Sequence, residues 1–254
     1  MIDIHTHVLP RVDDGPQEWE ESLTMLNMAV EDGIRGVVCT SHVMERLDQD
    51  IENVLLRRFA ELKRRAREAG IDITLWLGSE LHSDARLNHQ SRVFTINNNR
   101  KYVLLELPFG DVPPYADDLF FQLSMKGFKP ILAHPERNAR LNQNHKMIFD
   151  IVNRGTYMQI NSGSITGQFG GRIRRLTDDM LARNCVHFVA SDAHNASTRP
   201  MKMSEAYAHV RDQFGPEMAK RLFYSNPLHA IRGENLETDL PVPFQGKKRR
   251  FIFF

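Results

Sequence analysis

Met1-Ile-Asp-Ile-His5-Thr-His7 is a short apolar strand ending on two imidazoles two positions apart, and an extended backbone projects both to the same side. One cation can take both, so the pair reads as metal ligands. The same pattern recurs down the chain. Arg35-Gly-Val-Val-Cys-Thr leads to Ser41 and His42, and Ile73-Thr-Leu-Trp-Leu-Gly-Ser leads to Glu80. Tyr102-Val-Leu-Leu delivers Glu106, Pro130-Ile-Leu-Ala delivers His134, and His187-Phe-Val-Ala-Ser delivers Asp192 and His194. Asp14 follows the first strand in Val12-Asp-Asp-Gly15. These runs are rich in Val, Ile and Leu and bounded by turn residues, as expected of strands buried on both faces.

Helical periodicity fills the intervals. Trp19 to Asp32 places Leu23, Leu26, Ala29 and Val30 on one face with Gly33 as its stop, and Asp50 to Ala69 does the same with Gly70. Ala116 to Met125, His145 to Asn153, Ile173 to Arg183, Ser204 to Phe214 and Pro216 to Tyr224 read alike. Alternating strands and helices imply βαβ units and a parallel sheet. Ligands supplied from many strand ends meet only where those ends converge, which favours a closed (β/α) barrel over an open sheet.

Composition narrows the class further. With 26% charged and 41% hydrophobic residues, and no apolar run near the roughly 20 residues of a membrane span, a soluble globular chain is expected. Asp3, His5 and His7 occupy the place of a signal peptide's apolar core, so a cytoplasmic location is expected. Cys39 and Cys185 lie in or beside buried strands and read as free thiols. A net charge of +1 argues against nucleic acid as a partner. Residues 1–240 are expected to form one domain, and 241–254 a Pro-containing tail. Its end, Lys247-Lys-Arg-Arg-Phe-Ile-Phe-Phe254, suits weak contact with an anionic membrane surface or a partner protein or, more simply, a tail that folds back over the barrel or stays disordered.

Five histidines (His5, His7, His42, His134, His194) and four carboxylates (Asp14, Glu80, Glu106, Asp192) exceed what one first-row metal can use, so two to three divalent ions are expected. Imidazole and carboxylate donors without thiolate suit Mn²⁺, Fe²⁺ or Zn²⁺. Three such ions outweigh four carboxylates by two positive charges, which a phosphate dianion would balance. Phosphoester hydrolysis follows, with attack by hydroxide generated at the metals. Arg137, in His134-Pro-Glu-Arg137, is placed to pair with the phosphate. His42, Arg137 and Asp192 are the expected catalytic residues.

These motifs, with Asp13-Asp-Gly-Pro, Gly78-Ser-Glu-Leu-His82, Leu104-Leu-Glu-Leu-Pro108, Leu132-Ala-His-Pro-Glu-Arg-Asn138, Gln159-Ile-Asn-Ser-Gly-Ser164 and Ala190-Ser-Asp-Ala-His-Asn195, resemble the PHP (polymerase and histidinol phosphatase) superfamily. Within it the chain is similar to the bacterial protein-tyrosine phosphatases of capsule and exopolysaccharide operons, from Met1 to about Glu234. The resemblance implies a distorted (β/α)₇ TIM-like barrel with a trinuclear site, usually active with manganese. It implies the same nine ligands, places Arg137 against the phosphate, and adds Arg199 in Ser197-Thr-Arg-Pro200 as a second substrate-binding cation. The implied substrate is phosphotyrosine on a tyrosine autokinase that drives polysaccharide synthesis. Thr40-Ser-His42-Val43 departs from the Thr-Pro-His-His of that family, and the following loop lacks aromatic residues, leaving open how a phosphotyrosine ring is gripped.

A thiolate mechanism is excluded, since Cys-x₅-Arg is absent: Glu45 and Ser191 stand six residues after Cys39 and Cys185. The alternatives are a histidinol-phosphate or other small phosphoester phosphatase, a nuclease module, and a non-catalytic metal-binding regulator of the kinase.

Overall fold

The computed structural model describes residues 1–83 and 86–244, so the basic and aromatic end of the chain, Lys247 to Phe254, lies outside the described residues. Among the described residues nine strands run β1 (Ile2–Thr6), β2 (Gly36–Cys39), β3 (His42–Val43), β4 (Thr74–Leu77), β5 (Glu80–His82), β6 (Tyr102–Glu106), β7 (Lys129–Ala133), β8 (Tyr157–Asn161) and β9 (Phe188–Ala190). They form two wholly parallel sheets, β1-β2-β4 and β3-β5-β6-β7-β8-β9.

The two sheets are one distorted barrel. Only Thr40 and Ser41 separate β2 from β3, and only Gly78 and Ser79 separate β4 from β5. Backbone bonds span the break, from Gly78 N to Cys39 O and from Glu80 N to Thr40 O. Merging the interrupted strands leaves seven staves. The seam closes where His7 N donates to Ala193 O and Asp192 N to His5 O, beside the parallel bridge of Thr6 with Ala193.

Helices cover the outside as the periodicity predicts: α1 (Trp19–Glu31), α2 (Gln49–Glu68) and α3 (Ala116–Met125) on the first half. Gly33 and Gly70 take the left-handed conformation (φ +86° and +70°) that ends the first two, as expected of C-terminal stops. Asp48 starts α2 by accepting from the N–H groups of Asp50 and Ile51. The chain continues through α4 (Ala139–Gln143), α5 (His145–Asn153), α6 (Ser162–Thr166), α7 (Gly171–Leu181), α8 (Ser204–Phe214), α9 (Pro216–Lys220) and α10 (Asn226–Arg232). The expected Pro216–Tyr224 helix is observed as α9 followed by a π-helical turn, Arg221–Ser225.

Apolar packing divides into two clusters. Leu26, Leu55, Leu62, Val103 and Val189 belong to the large one, between barrel and helices. Ile2, Ile4, Val38, Leu104, Ile131 and Phe188 fill the barrel, where Ile96 and Ile231 join them from a 3-10 turn and α10. This plug is the floor on which the polar residues of the strand ends stand. Cys39 and Cys185 are buried and free.

Candidate metal centre

The nine expected ligands converge at the strand ends. Strict alternation would make this hard for β1, because Ile2 and Ile4 already face inward. A bulge resolves the conflict: pairing steps from Asp3↔Val37 to Thr6↔Cys39, so Ile4 and His5 together oppose Val38. One extra residue re-aims the strand and turns His5 and His7 to the centre. His134 and Asp192 reach it from left-handed backbone positions, φ +30° and +54°. Such strain gathers at functional sites because the surroundings must hold it.

Glu80 lies at the middle, wholly buried. Its Oε2 is 3.1 Å from His5 Nε2, 3.3 Å from His7 Nε2 and 3.0 Å from His42 Nδ1, while Oε1 lies 3.0 Å from His134 Nε2. Glu106 approaches His42 at 3.6 Å and His134 at 3.5 Å. Asp192 Oδ1 is 3.6 Å from His5, 3.5 Å from His7 and 3.6 Å from His194. Asp14, the most exposed member, places Oδ1 3.2 Å from His194 Nε2 and 3.6 Å from His42 Nε2. Glu80 Oε2 and His42 Nδ1 are buried without a hydrogen-bond partner despite their closeness.

Buried polar atoms left unpaired are costly, and a cation shared between them removes the cost. Among the described residues three overlapping groups have donor atoms spaced for a metal: His7, Asp14, His42 and His194; His5, His7 and Glu80; and His42, Glu80 and Glu106. The donor set therefore fits divalent ions. Electrostatics agree with negative carboxylates here. Burial opposes charge on Glu80 and Asp192, yet His5 and the other cations around them hold both carboxyls well below the usual range. Burial also opposes charge on His5, but Glu80 and Asp192 raise its pKa to about 9.

Arg137 and Arg199 both bind Asp192 Oδ2, at 3.1 and 2.5 Å. Arg137 also lies over two rings, 4.9 Å from the centre of Phe109 and 4.5 Å from that of Phe169. Phe109 in turn stacks on His134 at 5.5 Å.

Several supporting residues escaped the sequence reading, which followed ligand-type side chains. Gln159 Oε1 accepts from His5 Nδ1 at 2.8 Å, and Asn161 Nδ2 donates to Asp192 Oδ2 at 2.7 Å. Both come from β8, whose Met158 and Ile160 pack outward. Asp13 Oδ2 accepts from His7 Nδ1 at 2.8 Å and from His42 N at 3.0 Å. Glu136, fully buried, accepts at Oε1 from Asn161 N and Ser164 Oγ, tying the Arg137 turn to β8. Burial raises its pKa.

Fold and donors together define a seven-stave parallel barrel built around a cluster of side chains that could hold metal ions. The chain belongs to the CpsB/CapC family of capsular polysaccharide synthesis, whose pattern matches residues 1–232, in agreement with the resemblance carried by the motifs. It is 33% identical over 256 aligned residues to the tyrosine-protein phosphatase YwqE of Bacillus subtilis (strain 168), covering 100% of both chains. It is 35% identical to the putative tyrosine-protein phosphatase CapC of Staphylococcus aureus, covering 82% of each. Among solved structures, those of the metal-dependent tyrosine phosphatases YwqE from Bacillus subtilis and CpsB from Streptococcus pneumoniae include a chain matching this one with a TM-score of 0.87 at 31% identity. That match covers 97% of this chain and 100% of the other.

Proposed function

We propose that this protein is a metal-dependent protein-tyrosine phosphatase acting on a bacterial tyrosine autokinase that controls capsule and exopolysaccharide synthesis. The observation that carries the reading is Glu80: one carboxylate oxygen within 3.3 Å of three imidazole nitrogens, beside a carboxylate, Asp192, that holds two arginines. Two to three divalent ions, with Mn²⁺ as the proposed occupant and Fe²⁺ or Zn²⁺ admitted by the same donors, would be held by His5, His7, Asp14, His42, Glu80, Glu106, His134, Asp192 and His194. When bound, the ions supply an activated water and offset phosphate charge.

The chain's own residues do the rest. Arg137 and Arg199 bind the phosphate; each guanidinium has five donors, so one bond to Asp192 leaves others for the substrate. Asp192 keeps both forks aimed at the site, and Phe109 and Phe169 restrict Arg137 further. Displacement is in line and forms no phosphoenzyme. Burial raises the Cys39 thiol, and pushes that of Cys185 up to about 11, so neither offers a thiolate.

The test is phosphate release from a phosphotyrosine peptide, compared with a phosphoserine peptide and histidinol phosphate. It uses metal-stripped protein with and without restored Mn²⁺, and the variants Arg137→Ala and His42→Ala. Preference for phosphotyrosine that needs the metal and both side chains supports the proposal. Turnover of histidinol phosphate alone replaces the substrate, and no turnover with Mn²⁺ bound turns the protein into a regulator.

A further inference from the structure

Beside the metal donors lies a cavity of about 470 Å³ whose walls include Met44, Leu107, Pro108 and Phe109, with Asp14, His42 and Glu106 also facing it. Met44 and Phe109 each expose about half their surface, 51% and 49%. A single exposed apolar side chain needs no explanation, but two at one concave, mostly apolar site beside convergent polar groups mark a ligand pocket.

Resting on the phosphatase reading above, we propose that this cavity seats the phenyl ring of phosphotyrosine, with Phe109 and Met44 as the residues that select aryl over alkyl phosphoesters. Phe109 touches both the phosphate-facing Arg137 and the metal-ligating candidate His134, so it borders the place where the phosphate must sit. In an aryl ester the ring is bonded directly to the bridging oxygen. An aryl phosphate anchored at Arg137 therefore lays its ring against this wall, where Phe109 stacks on it and the Met44 thioether packs at its edge. A serine ester presents one methylene there and leaves both side chains wet. The Val43–Gln49 loop lacks aromatics, yet it supplies Met44, and the aromatic partner comes instead from the end of β6. His82, at the end of β5, lies between the two in the strand order and also lines the cavity.

The experiment compares kcat/KM for phosphotyrosine and phosphoserine peptides of one sequence, in Mn²⁺-loaded wild type, Phe109→Ala, Phe109→Leu and Met44→Ala. Calorimetry of phenylphosphonate against methylphosphonate binding gives a second readout that needs no turnover. The preference for phosphotyrosine is expected to fall roughly tenfold in Phe109→Ala and several-fold in Met44→Ala, mainly through KM, with phenylphosphonate affinity falling in parallel. Phe109→Leu, which keeps apolar bulk, should fall between. Equal loss on both peptides would make Phe109 only a support for Arg137 and overturn the proposal, as would unaltered phenylphosphonate affinity. If the wild type hydrolyses no phosphotyrosine, the phosphatase reading fails, while the phosphonate pair still decides whether the cavity takes a ring.

Discussion

Asp13 is not among the nine candidate donors, yet it sets the attitude of two of them. Its Oδ2 takes the Nδ1 proton of His7, which leaves Nε2 directed at Glu80, and the same oxygen fixes the backbone of His42. Asp13→Asn is expected to keep the fold but weaken Mn²⁺ binding by roughly 10–100-fold, read by calorimetry. In the sequence, Asp13 and Asp14 are adjacent carboxylates in one turn, and which of them faces the cluster is decided only by the turn's geometry. His187 offers a different test. Burial, aided by Arg221, lowers its pKa to about 3, and its Nδ1 accepts from Met158 N. The unfolded chain, with an ordinary imidazole, binds the proton more readily. The contribution of neutral, buried His187 to stability is therefore complete above about pH 6.5 and declines as pH falls towards 3, at about 1.4 kcal/mol per pH unit. Urea midpoints measured from pH 7 to 4 should fall less steeply in His187→Asn than in wild type, even though the variant starts lower.

At the scale of elements, the strand that supplies no donor organises those that do. β8 ends on amides, so a search for strands ending in His, Asp or Glu passes over it, although Gln159-Ile-Asn161 stood out as a motif. Its alternation is plain once Met158 and Ile160 are seen to pack outward and Gln159 and Asn161 to face His5 and Asp192. Gln159→Leu retains the strand and removes the acceptor that fixes His5. Phosphotyrosine turnover should drop at least about tenfold with far-UV circular dichroism unaltered, and an unaltered rate would show that β8 is scaffold alone. The longer helices were legible to within about two residues, because amphipathic period and glycine stops are local signals, whereas the short α4, α6 and α10 were not read and the Pro216–Tyr224 helix gives way to a π-helical turn. The β1 bulge was not, since nothing within Ile2–Thr6 announces that two residues will oppose Val38. Breaks at Thr40-Ser41 and Gly78-Ser79 were equally silent, being set by pairing across the barrel.

For the whole molecule, candidate donors from six staves share one centre, so an ion bound there would cross-link the barrel. Mn²⁺ at one hundred times its Kd adds about 2.7 kcal/mol per site. Chelation should lower the melting temperature by roughly 5–10 °C for each site emptied, read by scanning calorimetry. The drop should be larger at pH 8.5 than at pH 6.5. His5, whose pKa stands at about 9, must lose its proton to bind an ion, so affinity rises with pH through this range. Convergence itself was readable from the chain, because a barrel brings strand ends together whatever their spacing. No helix among the described residues is long and apolar enough to cross a membrane.

The seam joining β1 to β9 has a consequence for the life history of the molecule. His5 and Asp192 meet only across that seam, 187 positions apart in the chain, and His7 is bonded to Ala193 there. A nascent chain on the ribosome that has not yet emitted residue 194 can present fragments of the cluster but never its full complement of donors. An ion that needed the whole set of candidate donors would therefore be acquired only after the last stave is made, from whatever pool the finished barrel then meets.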